Sequence, residues 1–135
     1  MTLQYSKKVM QNFMNPKNMG EIKNPDGIGK IGNPVCGDVM WMYIKVGKKD
    51  GKEFLKDLKF KAFGCAAAIA SSSAITQIAK GKSLKEAGNI GMNEVTKCLN
   101  GLPSVKLHCS SMAEKALKKA IEDYESRKKE KKKKN

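Results

Sequence analysis

The sequence predicts an α+β fold, in which a small antiparallel sheet of about three strands packs against helices, with an N-terminal helix and a long C-terminal helix. Apolar residues recur every three or four positions near both ends of the chain, which is typical of helices buried on one face. In the middle of the chain apolar residues alternate with lysines, which is typical of half-buried strands. A chain of 135 residues leaves room for one domain.

The first third of the chain predicts a helix, a loop and a short strand. Residues 5–15 place Val9 and Phe13 on one helical face, and Pro16 ends this helix. The loop that follows is rich in asparagine, proline and glycine, and it contains a short strand near residues 28–31.

Two alternating segments predict an antiparallel hairpin with one buried face. They cover residues 39–46 and 57–62, and GKKDG (47–51) forms the turn between them. The apolar positions of the buried face are Met40, Met42, Ile44 and Val46 on the first strand and Leu58, Phe60 and Ala62 on the second.

The remainder of the chain predicts four helices. A helix rich in small residues covers 66–81, a short one lies between Gly81 and Gly88, and another covers 92–99. The last helix has the clearest apolar stripe, and Ser111 with Glu114 forms a capping box at its start. The stripe consists of Met112, Ala113, Ala116, Leu117, Ala120, Ile121 and Tyr124.

The charge distribution bears on the class of partner. There are 27 Lys+Arg and 13 Asp+Glu, a net charge of +14, and the run RKKEKKKK at residues 127–134 contributes seven positive charges and one negative charge. No aromatic residues interrupt this run, which disfavours nucleic-acid binding. We expect a domain of residues 1–126 and a solvated basic tail of residues 127–135 that prolongs the last helix.

The apolar segments are too short for a membrane span. No apolar run exceeds six residues, the length of Val39 to Ile44, whereas a span needs roughly 20. The N-terminal segment has neither a continuous apolar stretch nor a small-residue cleavage site, so we expect no signal peptide. These observations predict a cytoplasmic protein without a membrane partner.

Three of the four cysteines lie at predicted element junctions. Cys36 precedes the first hairpin strand, Cys65 lies between the second strand and the next helix, and Cys109 precedes the last helix. A helix N-terminus favours the thiolate form, which applies to Cys65 and Cys109. Asp38 and His108 lie beside these cysteines in the sequence, so there are five candidate donors for zinc or an iron–sulfur centre.

The alternative for any single cysteine is simple packing, because small buried cysteines behave as apolar residues. This alternative is favoured for Cys98, which lies in a predicted helix beside Leu99 with no polar donor nearby.

Three segments identify the chain as similar to a known family. NPVCGD with Cys36, FGCAAAIASSS with Cys65, and LPSVKLHCSSMAEKAL with His108 and Cys109 closely resemble the signatures of the IscU/NifU-type iron–sulfur cluster assembly scaffolds. The resemblance runs from YSKKVMQNFMNPKNMG to AIEDYESRK, and it is to the stand-alone scaffold domain.

The resemblance implies a set of site residues. Cys36, Cys65 and Cys109 would be the cysteine ligands of an assembling [2Fe–2S] cluster, and Asp38 and His108 would complete the site at different stages. Zn²⁺ would occupy the same residues in the cluster-free form. The protein would be a scaffold and a carrier of cluster and sulfur, with no catalytic turnover of its own.

The resemblance also implies partners. A cysteine desulfurase would deliver sulfur as a persulfide to Cys109, and apo iron–sulfur proteins would receive the cluster. An Hsp70-type chaperone would bind the segment formed by Leu102, Pro103, Ser104, Val105 and Lys106. The family usually has LPPVK there, and Ser104 loosens the extended conformation that the chaperone would bind. The sequence leaves open whether the cluster lies within one chain or bridges a homodimer.

The donor types favour a scaffold over an electron carrier, because a carboxylate or an imidazole is a weaker ligand to iron than a thiolate. We therefore expect Asp38 to be the labile ligand.

The first alternative is a zinc-dependent sulfurtransferase that relays persulfide without building a cluster. The second is a hydrolase with Cys109 as nucleophile and His108 as base, which is disfavoured because adjacent side chains rarely point at each other. The third is a nucleic-acid binder driven by the basic tail.

Overall fold

The fold is built on a three-stranded antiparallel sheet with the strand order β1-β2-β3, as the sequence predicted. The structure is a computed structural model that describes residues 5–33 and 37–134. The elements are α1 (Lys7–Met14), β1 (Gly27–Asn33), β2 (Asp38–Lys49), β3 (Lys52–Phe63), α2 (Ala66–Ala79), α3 (Leu84–Gly88), α4 (Met92–Cys98), a 3-10 turn (Ser104–Lys106) and α5 (Leu107–Lys134). No helix in these described ranges is long and apolar enough to cross a membrane.

The β2–β3 hairpin is longer than the sequence predicted. Only Asp50 and Gly51 form its turn, with φ of 52° and 78°, and residues 47–49 continue β2. Positive φ at both central residues is typical of the type I′ turn, whose twist matches that of the flanking strands. The prediction of a turn over residues 47–51 was therefore wrong, because exposed lysines at a strand end look like turn residues in the sequence.

A bulge adapts the hairpin to the core. The register shifts between Lys45 and Val46, so that Ile44 pairs with Leu58 and Val46 pairs with Leu55. Both leucines consequently face the same side of the sheet although three positions separate them, and both are fully buried.

Helix α2 is the central helix of the molecule. Ten of its fourteen residues are buried, so it contacts other elements on nearly all sides. The Ser73 hydroxyl donates to the Asn12 side chain at 2.7 Å. The Thr76 hydroxyl donates to the Ser73 carbonyl, also at 2.7 Å. Small residues and bonded hydroxyls allow this helix to pack closely against the sheet, α1 and α5.

Helix α5 begins five residues earlier than the sequence predicted, at Leu107 and not after Ser111. It starts at Leu107, directly after the 3-10 turn, so Ser111 lies inside the helix and caps nothing. The predicted capping box is therefore wrong. Glu114 instead accepts a hydrogen bond from the Met92 amide at 3.2 Å, at the N-terminus of α4, and pairs with Lys118 at 2.8 Å.

The same helix continues without a break through residues 126 and 127, where we predicted the domain boundary. The first residues of the predicted tail contact the domain. Arg127 donates to the Pro25 carbonyl at 3.1 Å, and the Lys128 ammonium lies 2.9 Å from the Glu53 carboxylate. The division into a domain and a tail stays a prediction.

Glycines let α5 lie directly on β1. A Cβ atom added to Gly29 would lie 2.1 Å from the Ala116 carbonyl oxygen, and one added to Gly27 would lie 2.2 Å from that of Ala120. The Asp123 carboxylate accepts a hydrogen bond from the Ile28 amide at 2.9 Å, which sets the position of the helix along the strand. Side chains at these glycines would push the helix away from the sheet.

We expect Gly29→Ala to lower the free energy of unfolding by about 2–3 kcal/mol, because its methyl group meets a helix carbonyl that cannot move alone. Urea unfolding followed by circular dichroism measures this change. Gly32→Ala on the same strand is the matched control, since its Cβ comes no closer than 3.9 Å to other atoms. A loss of the same size in both variants would contradict the close approach.

Candidate metal centre

Three elements that are far apart in the sequence meet at one end of the sheet and bring four potential ligands together. Asp38 is the first residue of β2, and only 4% of it is exposed. Cys65 is the N-cap residue of α2, where its carbonyl accepts from the amides of the first helical turn. His108 and Cys109 lie in the first turn of α5.

The ligand atoms of these residues lie close together. The Cys65 sulfur is 3.8 Å from the Cys109 sulfur and 3.7 Å from Oδ2 of Asp38, and the Cys109 sulfur is 3.9 Å from the same oxygen. Nε2 of His108 is 3.6 Å from the Cys109 sulfur and 3.9 Å from Oδ2 of Asp38. The carboxylate oxygen therefore lies within 3.9 Å of each of the other three ligand atoms. Both cysteines are free thiols.

These distances suit a tetrahedral metal ion. Ligand bonds of about 2.0–2.3 Å in a tetrahedral zinc site separate the ligand atoms by roughly 3.3–3.8 Å. Five of the six pairs of ligand atoms lie 3.6–3.9 Å apart, which agrees with that geometry to within a few tenths of an ångström. Asp38, His108 and Cys109 form a group whose ligand atoms all lie within 4.8 Å of one another, and Cys65 lies beside Asp38 and Cys109 but outside that group. One oxygen, one nitrogen and two sulfur atoms form a mixed set that can bind zinc or iron.

The structure brings four of the five predicted site residues together. The fifth, Cys36, lies outside the described residues, so its role stays a prediction. Cys98 is the last residue of α4, and it packs partly buried against the hydrophobic core, which agrees with the packing role that the sequence favoured.

Burial dominates the electrostatics of Cys109. Its side chain is fully buried, which raises the pKa of the thiol far above its ordinary value. The neighbouring Cys65 sulfur and the Asp38 carboxylate raise this pKa further, and the Lys106 charge lowers it by less. The helix N-terminus therefore does not keep this thiol ionised by itself, contrary to what the sequence predicted. A bound metal cation would supply the positive charge that a buried thiolate needs.

Two side chains near the sulfur atoms were not predicted as part of the site. The nearby Cys65 sulfur raises the pKa of Lys106, partial burial lowers it by less, and Tyr5 raises it further. The pKa of Tyr5 is raised first by burial and then by the Cys65 sulfur. We had assigned Lys106 to the chaperone segment alone, and nothing in the sequence pattern pointed to Tyr5.

The segment predicted to bind a chaperone is folded at its C-terminal end. Leu102 packs partly buried against the core, and residues 104–106 form the 3-10 turn that precedes α5. The Lys106 amide donates to the Pro103 carbonyl at 2.8 Å. This part of the segment is therefore not in an extended conformation.

The position of His108 argues against a cysteine hydrolase. Its imidazole lies 3.6 Å from the Cys109 sulfur, so the expectation that the adjacent side chains point apart was wrong. However, the same nitrogen atom, Nε2, faces both Cys109 and Asp38. In a catalytic triad the acid and the nucleophile use opposite ring nitrogens. Shared use of one nitrogen is what a common metal ion requires.

Comparison with known proteins identifies a family that matches almost the whole chain. The sequence model of a family described as the NifU-like N terminal domain matches residues 4–131. The iron–sulfur cluster assembly scaffold protein IscU 1 of Archaeoglobus fulgidus is 53% identical over 120 residues, which cover 89% of this chain and 76% of that protein. IscU of Rickettsia prowazekii, also named a scaffold protein, is 48% identical over 95% of this chain and 97% of its own.

A solved structure shares the fold. It is a candidate iron–sulfur cluster assembly scaffold for the SUF system from Fervidobacterium islandicum, with a TM-score of 0.67 and 25% identity, over 87% of this chain and 96% of that one. The two sequence relatives are named as assembly scaffolds and not as enzymes, as we predicted for this chain. The cytoplasmic location of this chain stays a prediction.

We expect the affinity for Co²⁺ or Zn²⁺ to rise with pH, because metal binding must displace the proton from the Cys109 thiol, whose pKa burial has raised. Below that pKa, each displaced proton makes the apparent affinity increase by about tenfold per pH unit. Titrations with Co²⁺ between about pH 6 and about pH 8, followed by its absorption spectrum, measure the slope.

The Cys98→Ser variant is the control for this titration and should retain the slope, since Cys98 packs against the core. In the Cys109→Ser variant, metal binding should displace one proton fewer, so the affinity should rise less steeply with pH. An affinity of the normal protein that does not change with pH would contradict the assignment of Cys109 as a ligand.

Proposed function

The chain belongs to the NifU-like N-terminal domain family, and from that premise we propose that it is a scaffold on which an iron–sulfur cluster is assembled and from which it passes to apo-proteins. The cluster is cargo here, and it is not a resident cofactor. The observation that carries the proposal is the convergence of Asp38, Cys65, His108 and Cys109, whose ligand atoms lie within 3.9 Å of their neighbours.

The proposed cargo is a [2Fe–2S] cluster. Cys65 and Cys109, with Cys36 as the third cysteine, would supply thiolate ligands to its iron atoms, and Asp38 and His108 would complete the site. This proposal is supported by the two sulfur atoms 3.8 Å apart and by the oxygen and nitrogen donors beside them.

The mixed donor set favours release of the cluster. A carboxylate oxygen and an imidazole bind iron less firmly than thiolates do, so such a cluster dissociates more easily than one held by four cysteines. The His108 side chain is 33% exposed, whereas that of Asp38 is only 5% exposed. Partners would therefore reach the cluster from the His108 side.

Sulfur delivery would use Cys109 as the acceptor. The outer sulfur atom of a desulfurase persulfide would move to the Cys109 thiolate, which becomes a persulfide, and the desulfurase cysteine would leave as a thiolate. Because Cys109 is fully buried, the first turn of α5 has to move to expose it. The Lys106 ammonium beside the Cys65 sulfur would offset part of the negative charge during this step.

Three classes of partner follow from the proposed role: a cysteine desulfurase, apo iron–sulfur proteins and an Hsp70-type chaperone. The chaperone would bind residues 102–106 in an extended conformation. The 3-10 turn at Ser104–Lys106 would then have to open, which would also disturb the start of α5 and hence His108 and Cys109. Chaperone binding could in this way promote cluster release.

A zinc-dependent sulfurtransferase is the second candidate. It is favoured by one observation, namely that Asp38, His108 and Cys109 already form a compact donor group, with the Cys65 sulfur 3.7–3.8 Å from Asp38 and Cys109, without Cys36. Such a protein would pass persulfide sulfur to an acceptor, and it would never hold a cluster.

Anaerobic reconstitution with iron and sulfide distinguishes the two candidates. A scaffold should develop the visible absorption of an iron–sulfur cluster and should then transfer that cluster to an apo-ferredoxin. The Cys98→Ser variant should behave like the normal protein, and Cys65→Ser should not assemble the cluster. A protein that keeps zinc, accepts persulfide sulfur and never shows cluster absorption would overturn the scaffold proposal.

We expect Asp38→Ala to slow the loss of the reconstituted cluster by about tenfold or more, because the cluster would then rest on softer thiolate and imidazole ligands. The decay of the visible absorption in the presence of a chelator measures the rate. Asp57→Ala is the control, since Asp57 pairs with Lys80 on the surface at 3.7 Å. Faster loss in the Asp38 variant would count against a labile carboxylate ligand.

A further inference from the structure

A glycine that is not a ligand lies against the carboxylate of the candidate metal centre. A Cβ atom built on Gly64 would lie 2.3 Å from Oδ1 and 2.7 Å from Cγ of Asp38. Contacts shorter than 3.0 Å essentially never occur at real Cβ atoms. Any side chain at residue 64 would therefore displace the Asp38 carboxylate or the backbone of residue 64.

The strand register explains this contact. Val39 pairs with Phe63 in the β2–β3 ladder, so Asp38 and Gly64 follow as the next opposed positions at the end of the hairpin. Opposed residues in an antiparallel pair normally have Cβ atoms about 4.5–5.5 Å apart. Here the separation between the Asp38 Cβ and the Cβ that would be added to Gly64 is only 3.1 Å, so the chain at residue 64 comes unusually close to Asp38.

The two oxygens of the Asp38 carboxylate have different neighbours. Oδ1 of Asp38 is the atom nearest to the Cβ position of Gly64, whereas Oδ2 is the atom that lies 3.7–3.9 Å from the Cys65 sulfur, the Cys109 sulfur and Nε2 of His108. The space beside Gly64 is thus occupied by one carboxylate oxygen while the other joins the donor group.

We propose that Gly64 is a positioning residue that admits the Asp38 carboxylate to the donor group, so that the composition of the ligand set depends on the absence of a side chain at residue 64. This inference rests on the proposed function and deepens it. If Asp38 is the labile ligand, then Gly64 controls how easily the site releases its cargo, although Gly64 contacts neither metal nor sulfide.

The consequence for the donor set is specific. If the carboxylate gives way to a methyl group at residue 64, and the backbone of residue 64 stays in place, the carboxylate has to shift or rotate, and this moves Oδ2 from its position within 3.9 Å of both sulfur atoms. The site would then lose its only described oxygen donor while keeping Cys65, His108 and Cys109. A Gly64→Ala protein should therefore bind metal in the same way as a protein without the Asp38 side chain.

The test is a double-mutant cycle between residues 64 and 38, with Gly64→Ala, Asp38→Gly and their combination. In the Asp38→Gly background all three atoms that the new methyl group would meet are gone. A second cause of destabilisation is the backbone, because residue 64 has a φ of 158°, which residues with a side chain rarely adopt. The cycle separates these causes, because only the carboxylate contact disappears with the Asp38 side chain.

The first readout is thermal unfolding of the metal-free proteins. We expect Gly64→Ala to lower Tm by roughly 5–15 °C in the normal background and by only a small fraction of that in the Asp38→Gly background. An equal decrease in both backgrounds would assign the effect to the backbone and would overturn the proposal. If Gly64→Ala alone does not fold, folding of the double variant supports the proposal, and its failure to fold overturns it.

The second readout is the absorption spectrum of bound Co²⁺. Gly64→Ala should reproduce the spectrum of Asp38→Gly, and a spectrum like that of the normal protein would overturn the proposal. Gly32→Ala is the matched control and should leave both Tm and the spectrum unchanged, since its Cβ comes no closer than 3.9 Å to the Asp38 carbonyl. If the normal protein binds no Co²⁺, the proposed function fails, whereas the metal-free cycle still decides the role of Gly64.

Discussion

The position of α5 on β1 is the constraint on which the rest of the structure depends. The helix backbone lies directly over Gly27 and Gly29, at distances that no side chain on the strand would allow. Because α5 is one continuous helix from Leu107 onward, this contact also determines where its first turn lies. That turn carries His108 and Cys109, so a shift of the helix would separate them from Asp38 and Cys65.

The candidate site combines burial with donors of unequal strength. Cys109 is fully buried, which raises the pKa of its thiol and disfavours the thiolate form that binds metal, and a bound cation would compensate for this cost. The site therefore changes its charge and its proton content when it is loaded. Because one oxygen and one imidazole nitrogen replace thiolates, the proposed site would hold a cluster less firmly than a four-cysteine site would.

The sequence alone predicted most of the secondary structure, and its errors have a common cause. The alternation around Met42 and Phe60 identified the sheet because burial of one strand face leaves a period of two in the sequence. The capping box at Ser111 failed because the pattern was present but Glu114 serves the N-terminus of α4. Residues 47–49 were assigned to a turn because exposed strand ends carry no alternation. In both failures the local pattern carries no signal, because the partner of Glu114 lies 22 residues away and the exposed strand ends lack a buried face.

The sequence by itself determined the residue types of the site, the fold class and the order of the elements, because periodicity and motif composition are local properties of the chain. Only the tertiary structure decided that Asp38, Cys65, His108 and Cys109 meet, that Cys109 is buried, and that Gly64 lies against the carboxylate. Distances between ligand atoms and the loss of water around them depend on how separate elements pack. The spacing of these residues along the sequence does not show which of them will pack together.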